Sequence, residues 1–395
     1  MSALKILPNI YSVGVVDWQV RNFHGHTYTT QRGSSYNAYL IIDEKIALID
    51  TAAGPFTQEL IDNIKEIIPP EKIDYIIANH VETDHSGALP AIMRLCPKAK
   101  VLGTAKCQEG LYKHYYEKWD FQVVKTNDQL KLGQRTLNFI EAPMIHWPDS
   151  MFTYCPQDQL LMSNDAFGQH FATSERFDDQ VDQCALMDEA KKYYANILWP
   201  LSAVILKKIQ EIQELNLPIK IIAPSHGVIW RKDPAGIINA YLAWAKEETE
   251  NKVIVVYETM WGSTEKMARK IVEGLIAAGT EVELYDVAQS DRTEIINQML
   301  SAKGFIFGSS THDNDMLPNI AAFLEIVKGL KPKGRQVGFF GSYGWAGGAV
   351  KEMQEMLKDS GLAQTIPAVS FKYVPDAAEL DSCLEFGTKF GQSLK

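Results

Sequence analysis

Within six positions of the stretch HVETDHSG stand four residues able to ligate a metal: His80, Glu82, Asp84 and His85. The apolar run IDYIIA before them has the composition of a buried strand, so the four groups are expected at a strand's mouth. Residues two apart in an extended segment project to one side, which predicts that His80, Glu82 and Asp84 converge. His85 then swings in beside them as a helix begins at SGALPAIM. Four ionisable groups beside a buried strand are costly to desolvate unless an ion compensates them. Three more candidate ligands follow apolar runs where strands should end: His146 in MIHWPDS, Asp165 in LMSNDAFGQ and His226 in APSHGV. The seven offer nitrogen and oxygen but no thiolate, and they suffice for two metal sites.

A second kind of chemistry begins at VIVVYETMWGST, a strand followed by a loop of hydroxyls and small residues and then by the helical stretch STEKMARKIV. The hydroxyls of Thr259, Ser263 and Thr264 and the amides of Trp261 and Gly262 fit a monophosphate at a helix N-terminus. No GK[ST] follows, which disfavours ATP and GTP. Two further loops, GSSTHDND and GSYGWAGG, stand at the ends of later strands, where a doubly wound sheet binds its ligands. Their content suits a flavin. Ser309, Thr311, His312, Asn314 and Ser342 supply polar contacts, Tyr343 and Trp345 supply faces to flank a ring, and Gly344 and Gly347 let backbone approach. Trp345 reads equally well as a buried anchor.

The elements that must position these groups change texture along the chain. Residues 1 to 55 are short alternating segments with Gly and Asn between them, as in the hairpins of a sheet. Helix-like and strand-like stretches then alternate: QELIDNIKEII, KIDYIIANH, GALPAIMRLC, AKVLGT, LNFIEAP and QLLMSND. Helices dominate from about 180 to 216, and IKIIAPSH is a further strand. From residue 253 the order is strictly strand then helix, ending with QVGFFGSYGW and a last helix, which predicts a parallel sheet covered on both faces. The boundary falls in the charged stretch EETENK, giving domains 1–250 and 251–395.

The bulk properties agree with two α/β domains. The chain has 395 residues, 46% hydrophobic and 22% charged, with no apolar stretch long enough to span a membrane. Its start lacks the apolar centre of a signal peptide, so a cytoplasmic location is expected. Five cysteines, none in a CxxC pair, argue against a disulfide framework, a zinc ribbon or a rubredoxin-type iron site. A net charge of -10 disfavours nucleic acid and anionic membrane as partners.

HVETDHSG resembles the metal motif HxHxDH of the metallo-β-lactamase superfamily, with Glu82 in place of the third-position histidine; His146, Asp165 and His226 follow in that superfamily's order. The form HxExDH followed by a flavodoxin-like domain resembles the flavodiiron proteins, also called A-type flavoproteins or rubredoxin:oxygen oxidoreductases, over nearly the whole chain. The resemblance implies an αββα sandwich followed by a flavodoxin-like doubly wound sheet. It implies two non-haem irons, one held by His80, Glu82 and His146, the other by Asp84, His85 and His226, with Asp165 bridging. It implies FMN in the second domain, and His24 and Tyr193 near the irons, where an imidazole and a phenol would donate protons or hydrogen bonds to substrate. His26 stands where relatives more often have Tyr. The pattern departs from the family at Ser310, where Pro is usual, and at Asp315, where Gly is usual.

Glu82 gives the resemblance chemical content. With it the set has four imidazoles and three carboxylates, a ligand charge of about -3 that favours iron and its ferric state over zinc. The expected activity is therefore reduction of O2 to water or of NO to N2O. The family implies an external donor such as a rubredoxin, and a head-to-tail homodimer that sets the flavin of one subunit against the irons of the other. Two rival readings are a metallo-β-lactamase-type hydrolase with a flavodoxin-like appendage, and a non-catalytic O2/NO sensor or electron carrier.

Overall fold

The structure is a computed structural model and describes residues 2–25 and 27–395. His26 lies outside the described residues. The chain divides into two compact units: Met1–Tyr193 with Ala203–Leu242, and Tyr194–Ser202 with Ala243–Lys395. Among the described residues no helix is long and apolar enough to cross a membrane.

In the first unit, short strands with apolar residues on both sides become two stacked sheets. The seven-stranded sheet runs Leu4–Leu7, Ile10–Ser12, Tyr39–Ile42, Ile46–Ile49, Tyr75–Ile77, Lys100–Gly103, Phe121–Val123. Its first members pair as antiparallel hairpins and its last as parallel neighbours. The five-stranded sheet runs Gln129–Lys131, Thr136–Glu141, Met151–Cys155, Leu160–Asn164, Ile221–Pro224. Ile41, Ile49 and Leu102 of one sheet meet Leu137, Phe139 and Met162 of the other in a shared apolar layer. Successive side chains alternate faces, so Leu40, Leu48 and Val101 point the other way and bury Leu60, Ile64 and Ile92 of flanking helices. Outside the second sheet, Leu161 and Phe167 line one cavity with Ile209 of the helix Ser202–Glu214 and Ile238 of the helix Pro234–Ala245. The layers are therefore helix, sheet, sheet, helix.

Two local readings change. Asp84 does not project from an extended segment: Thr83–Ser86 is a helical turn. Ser86 folds it by bonding back to the carbonyls of Val81 at 2.6 Å and Glu82 at 3.0 Å. The strands Phe121–Val123, Gln129–Lys131 and Met151–Cys155 were not legible as strands. The first is a half-exposed edge, the second has one buried residue, and the third is buried on both faces and so does not alternate.

In the second unit the parallel sheet runs Glu281–Asp286, Glu250–Glu258, Ala302–Ser310, Gln336–Tyr343. Ala363–Gln364 and Val369–Lys372 share its last edge. This is the 2-1-3-4-5 order of a flavodoxin-like sheet, with the ligand crevice beyond the strands' C-terminal ends. Two helices, not one, follow Tyr343: Ala349–Leu357 and Ala377–Ser393, kept apart by Gly361, Pro367 and Pro375 in the intervening stretch. The last helix crosses Ser263–Ala277 at Gly274, where a Cβ would sit 2.1 Å from the Leu384 carbonyl oxygen. Only glycine permits that approach.

Candidate functional site

The candidate metal ligands follow four different strand ends and one helical turn, and they converge. His80, Glu82, His146 and Asp165 form one group with ligand atoms within 4.8 Å of one another, and Asp84, His85 and His226 form a second. Asp165 faces both groups. Its Oδ2 lies 3.3 Å from His146 Nε2 and 3.7 Å from His80 Nε2, while its Oδ1 lies 3.0 Å from His85 Nε2 and 3.4 Å from His226 Nε2. Asp84 Oδ2 is 3.2 Å from both His85 and His226 Nε2. Glu82 Oε2 is 3.4 Å from His80 and 3.5 Å from His146.

Two of the imidazoles are aimed from behind. Carboxylate and carbonyl oxygens only accept, so His80 Nδ1 donates to Asp149 at 3.0 Å and His226 Nδ1 donates to the Ser35 carbonyl at 2.6 Å. In each case Nε2 is the nitrogen turned into the cluster. Among the described residues, His80 Nε2, His85 Nε2, Asp84 Oδ1 and both oxygens of Asp165 are buried without a hydrogen bond. Orphaned nitrogens and oxygens of this kind, clustered within ligand range, fit a pair of hard or borderline cations.

The electrostatics agree. Burial opposes charge on His146, but Asp165 and Glu82 beside it raise it to about 9; Asp165 and Asp84 do the same for His226, to about 10. Burial likewise opposes ionisation of Glu82, yet the imidazoles of His146, His24 and His80 hold its carboxyl far below the usual range. The cluster thus keeps opposite charges in mutual contact, and a metal entering it must displace protons from the imidazoles.

His24 stands at the rim with Nε2 3.3 Å from Glu82 Oε1, its side chain 28% exposed. Tyr193 is fully buried, its ring 6.1 Å from that of His226 and 5.1 Å from that of His170. Sequence reasoning missed His170, a buried imidazole bonded at Nδ1 to Ser34 and packed 5.1 Å from His226. It also missed Asp149. Asp149 accepts from the Val81 amide at 2.8 Å as well as from His80, so Asp149→Ala strands two buried donors. That substitution is expected to weaken metal retention about 10- to 100-fold and to lower stability by about 1–3 kcal/mol. Chelator competition and thermal melts of the metal-free chain would measure the two losses.

In the second unit a cavity of about 580 Å³ opens at the strand ends. Trp261, Ser263, Thr311, His312 and Asn314 line it, as do Ser342, Tyr343, Gly344 and Trp345. Thr259, Gly262, Thr264, Ser309 and Gly347 stand behind this lining. Thr259 Oγ1 accepts the Gly262 amide at 3.1 Å, closing the loop with Gly262 in the left-handed region at φ 84°. Ser309 Oγ accepts the Leu317 amide, and Thr264 is buried at the first turn of Ser263–Ala277. Gly347 lies against the Tyr343 ring. Trp345 is 88% exposed and Trp261 90%, so Trp345 is no buried anchor. Met260, Ser310 and Tyr373 also line the cavity. Tyr373 and Val374 arrive from a loop with no motif to mark it. Hydroxyls at a helix N-terminus below exposed aromatic faces fit a phosphorylated planar ring.

A metal-ligand cluster on a metallo-β-lactamase-like sandwich, joined to a flavodoxin-like sheet, defines a two-domain metalloflavoprotein. Residues 35–227 match the ODP family beta lactamase model and residues 255–387 the flavodoxin model. The chain is 51% identical to a nitric oxide reductase of Moorella thermoacetica, covering 98% of this chain and 97% of that one. It is 44% identical to an anaerobic nitric oxide reductase flavorubredoxin of Pectobacterium atrosepticum, over 98% of this chain and 77% of that one. Among solved structures, rubredoxin oxygen:oxidoreductase from Desulfovibrio gigas superposes with TM-score 0.97 at 37% identity, covering 100% and 98% of the two chains. The flavodiiron protein from Giardia intestinalis superposes with TM-score 0.95 at 38% identity, covering 100% and 97%. The chain belongs to the flavodiiron family.

Proposed function

We propose that this protein is an oxidoreductase that reduces NO to N2O, O2 to water, or both. Asp165 carries the reading, because one buried carboxylate presents an oxygen to each of two imidazole groups. His80, Glu82 and His146 would hold one iron, Asp84, His85 and His226 the other, and Asp165 would bridge them. A di-iron pair held there would supply open positions for a diatomic ligand, and FMN held in the second unit would supply the electrons. Three carboxylates in the set favour iron over zinc, which sets the hydrolase reading aside. His24 holds an imidazole against Glu82 at the rim, and the buried Tyr193 packs behind His226. In the flavin cavity the Thr259 to Thr264 turn would take the phosphate, and Tyr343, Trp345 and Trp261 would flank the ring.

We also infer an electron donor such as a reduced rubredoxin, the partner named for the solved relative from Desulfovibrio gigas. We further infer a cytoplasmic, head-to-tail homodimer. The test is elemental analysis with a visible spectrum, then consumption of NO and of O2 with NADH supplied through a rubredoxin. About two irons and one flavin per chain with N2O or water as product are expected. Two zincs with lactam or thioester turnover would restore the hydrolase, and loaded protein without turnover would restore the sensor. Mixing a chain lacking Asp165 with one lacking Thr264 tests assembly: recovered activity is expected if the dimer shares its sites, and none if each chain works alone.

A further inference from the structure

Beneath the flavin cavity four hydroxyls stand in a row. Ser263 Oγ is 2.9 Å from Ser342 Oγ, which is 2.8 Å from Thr264 Oγ1, which is 2.8 Å from Ser310 Oγ. The remaining approach, Ser310 to Ser342, is the longest at 3.3 Å. Thr264 is fully buried and Ser342 and Ser310 nearly so; Ser342 and both ends of the row, Ser263 and Ser310, line the cavity. Each hydroxyl has one proton and two lone pairs. A row of four joined by three bonds therefore spends three protons and has one left to present at an end.

An anionic oxygen at the Ser263 end, where the helix Ser263–Ala277 begins, fixes the direction of the row. Ser310 then donates to Thr264, Thr264 to Ser342, Ser342 to Ser263, and Ser263 to the anion. Each donor polarises the next, so the last bond is stronger than one isolated hydroxyl would make. Ser310 is the origin, and its oxygen is in turn approached by the Met260 amide at 3.4 Å. A residue without a hydroxyl at position 310 would start the row one link later.

Resting on the flavin reading above, we propose that Ser310 is a positioning residue: the first donor of a hydroxyl relay that ends on the flavin's phosphate and selects FMN over riboflavin. No bond in the flavin is made or broken, and no proton leaves the row.

The test is fluorescence-quenching titration of flavin-stripped protein with FMN and with riboflavin, for the wild type, Ser310→Ala, Ser310→Pro and Ser342→Ala. Ser310→Ala is expected to weaken FMN about fivefold to tenfold while leaving riboflavin affinity in place. Ser310→Pro should do the same. Ser342→Ala, which cuts the row in its middle, should lose as much, and the double variant Ser310→Ala with Ser342→Ala should lose less than the sum, because both act through one relay. Inorganic phosphate should compete with FMN less well in the variants than in the wild type. Equal losses for FMN and riboflavin would mean that Ser310 only shapes the loop, and an unchanged FMN affinity would mean that the row does not reach the phosphate; either result overturns the relay. Wild-type protein that binds no FMN at all would overturn the flavin reading itself and the relay with it.

Discussion

Asp165→Ala is expected to lower NO and O2 consumption about 1000-fold, a loss equivalent to ~4 kcal/mol of barrier, while the flavin spectrum stays as it was. The size follows from geometry. Asp165 Oδ1 faces His85 and His226 and Oδ2 faces His146 and His80, so one truncation removes a ligand atom from both groups. It also withdraws the negative charge that offsets the mutual repulsion of two cations held by the flanking imidazoles. Iron per chain, measured by elemental analysis after anaerobic reconstitution, should fall well below two, with flavin near one. Retention of two irons and of turnover within a few-fold of wild type would remove Asp165 from the centre.

Glu82→His tests the chemistry of the set more narrowly. The substitution changes the ligand charge from about -3 to about -2 and swaps a hard oxygen for a borderline nitrogen, which shifts preference toward zinc. Three imidazoles stand around Glu82, those of His24 at 3.3 Å, His80 at 3.4 Å and His146 at 3.5 Å. The variant therefore also loses a carboxylate that faces His24 at the rim. Turnover is expected to drop more than about 100-fold, and protein refolded with equimolar iron and zinc should take up mainly zinc. A variant that keeps two irons and full turnover would show that the carboxylate at this position does not set the metal.

The second unit was readable because its strands are continuous apolar runs divided by helices, a pattern with few alternative folds. Ile254, Val255 and Val256 are buried on both faces, as that pattern requires. The first unit was readable in outline, and its seven ligand-type residues were legible because each follows an apolar run or shares the HxExDH spacing. What was not legible is what aims them. Asp149 reaches His80 across 69 positions and the Ser35 carbonyl reaches His226 across 191, separations over which local pattern carries no signal. The Thr83–Ser86 turn escaped for a related reason: two bonds from Ser86 fold it, where the preceding strand predicted extension. The row from Ser263 to Ser310 joins three segments by side chains alone. Only the odd residue at 310 hinted at it.

The path of the chain bears on how such a protein can be taken apart. It leaves the first unit after Tyr193, spends Tyr194–Ser202 in the second, and returns at Ala203 before leaving for good after Leu242. In that excursion the Tyr194 ring packs tilted against Trp244, Asn196 donates to the Thr293 carbonyl, and the Arg335 guanidinium lies 5.0 Å over the Trp199 ring. A single scission between 242 and 250 therefore cannot yield two intact modules. The released C-terminal piece would lack its inserted loop, and the N-terminal piece would carry Tyr194, Leu198 and Trp199, all buried in the whole chain, as a sticky surface next to Tyr193. Gene fusions that borrow the flavodoxin half must graft that loop along with it or accept a scar where it belongs.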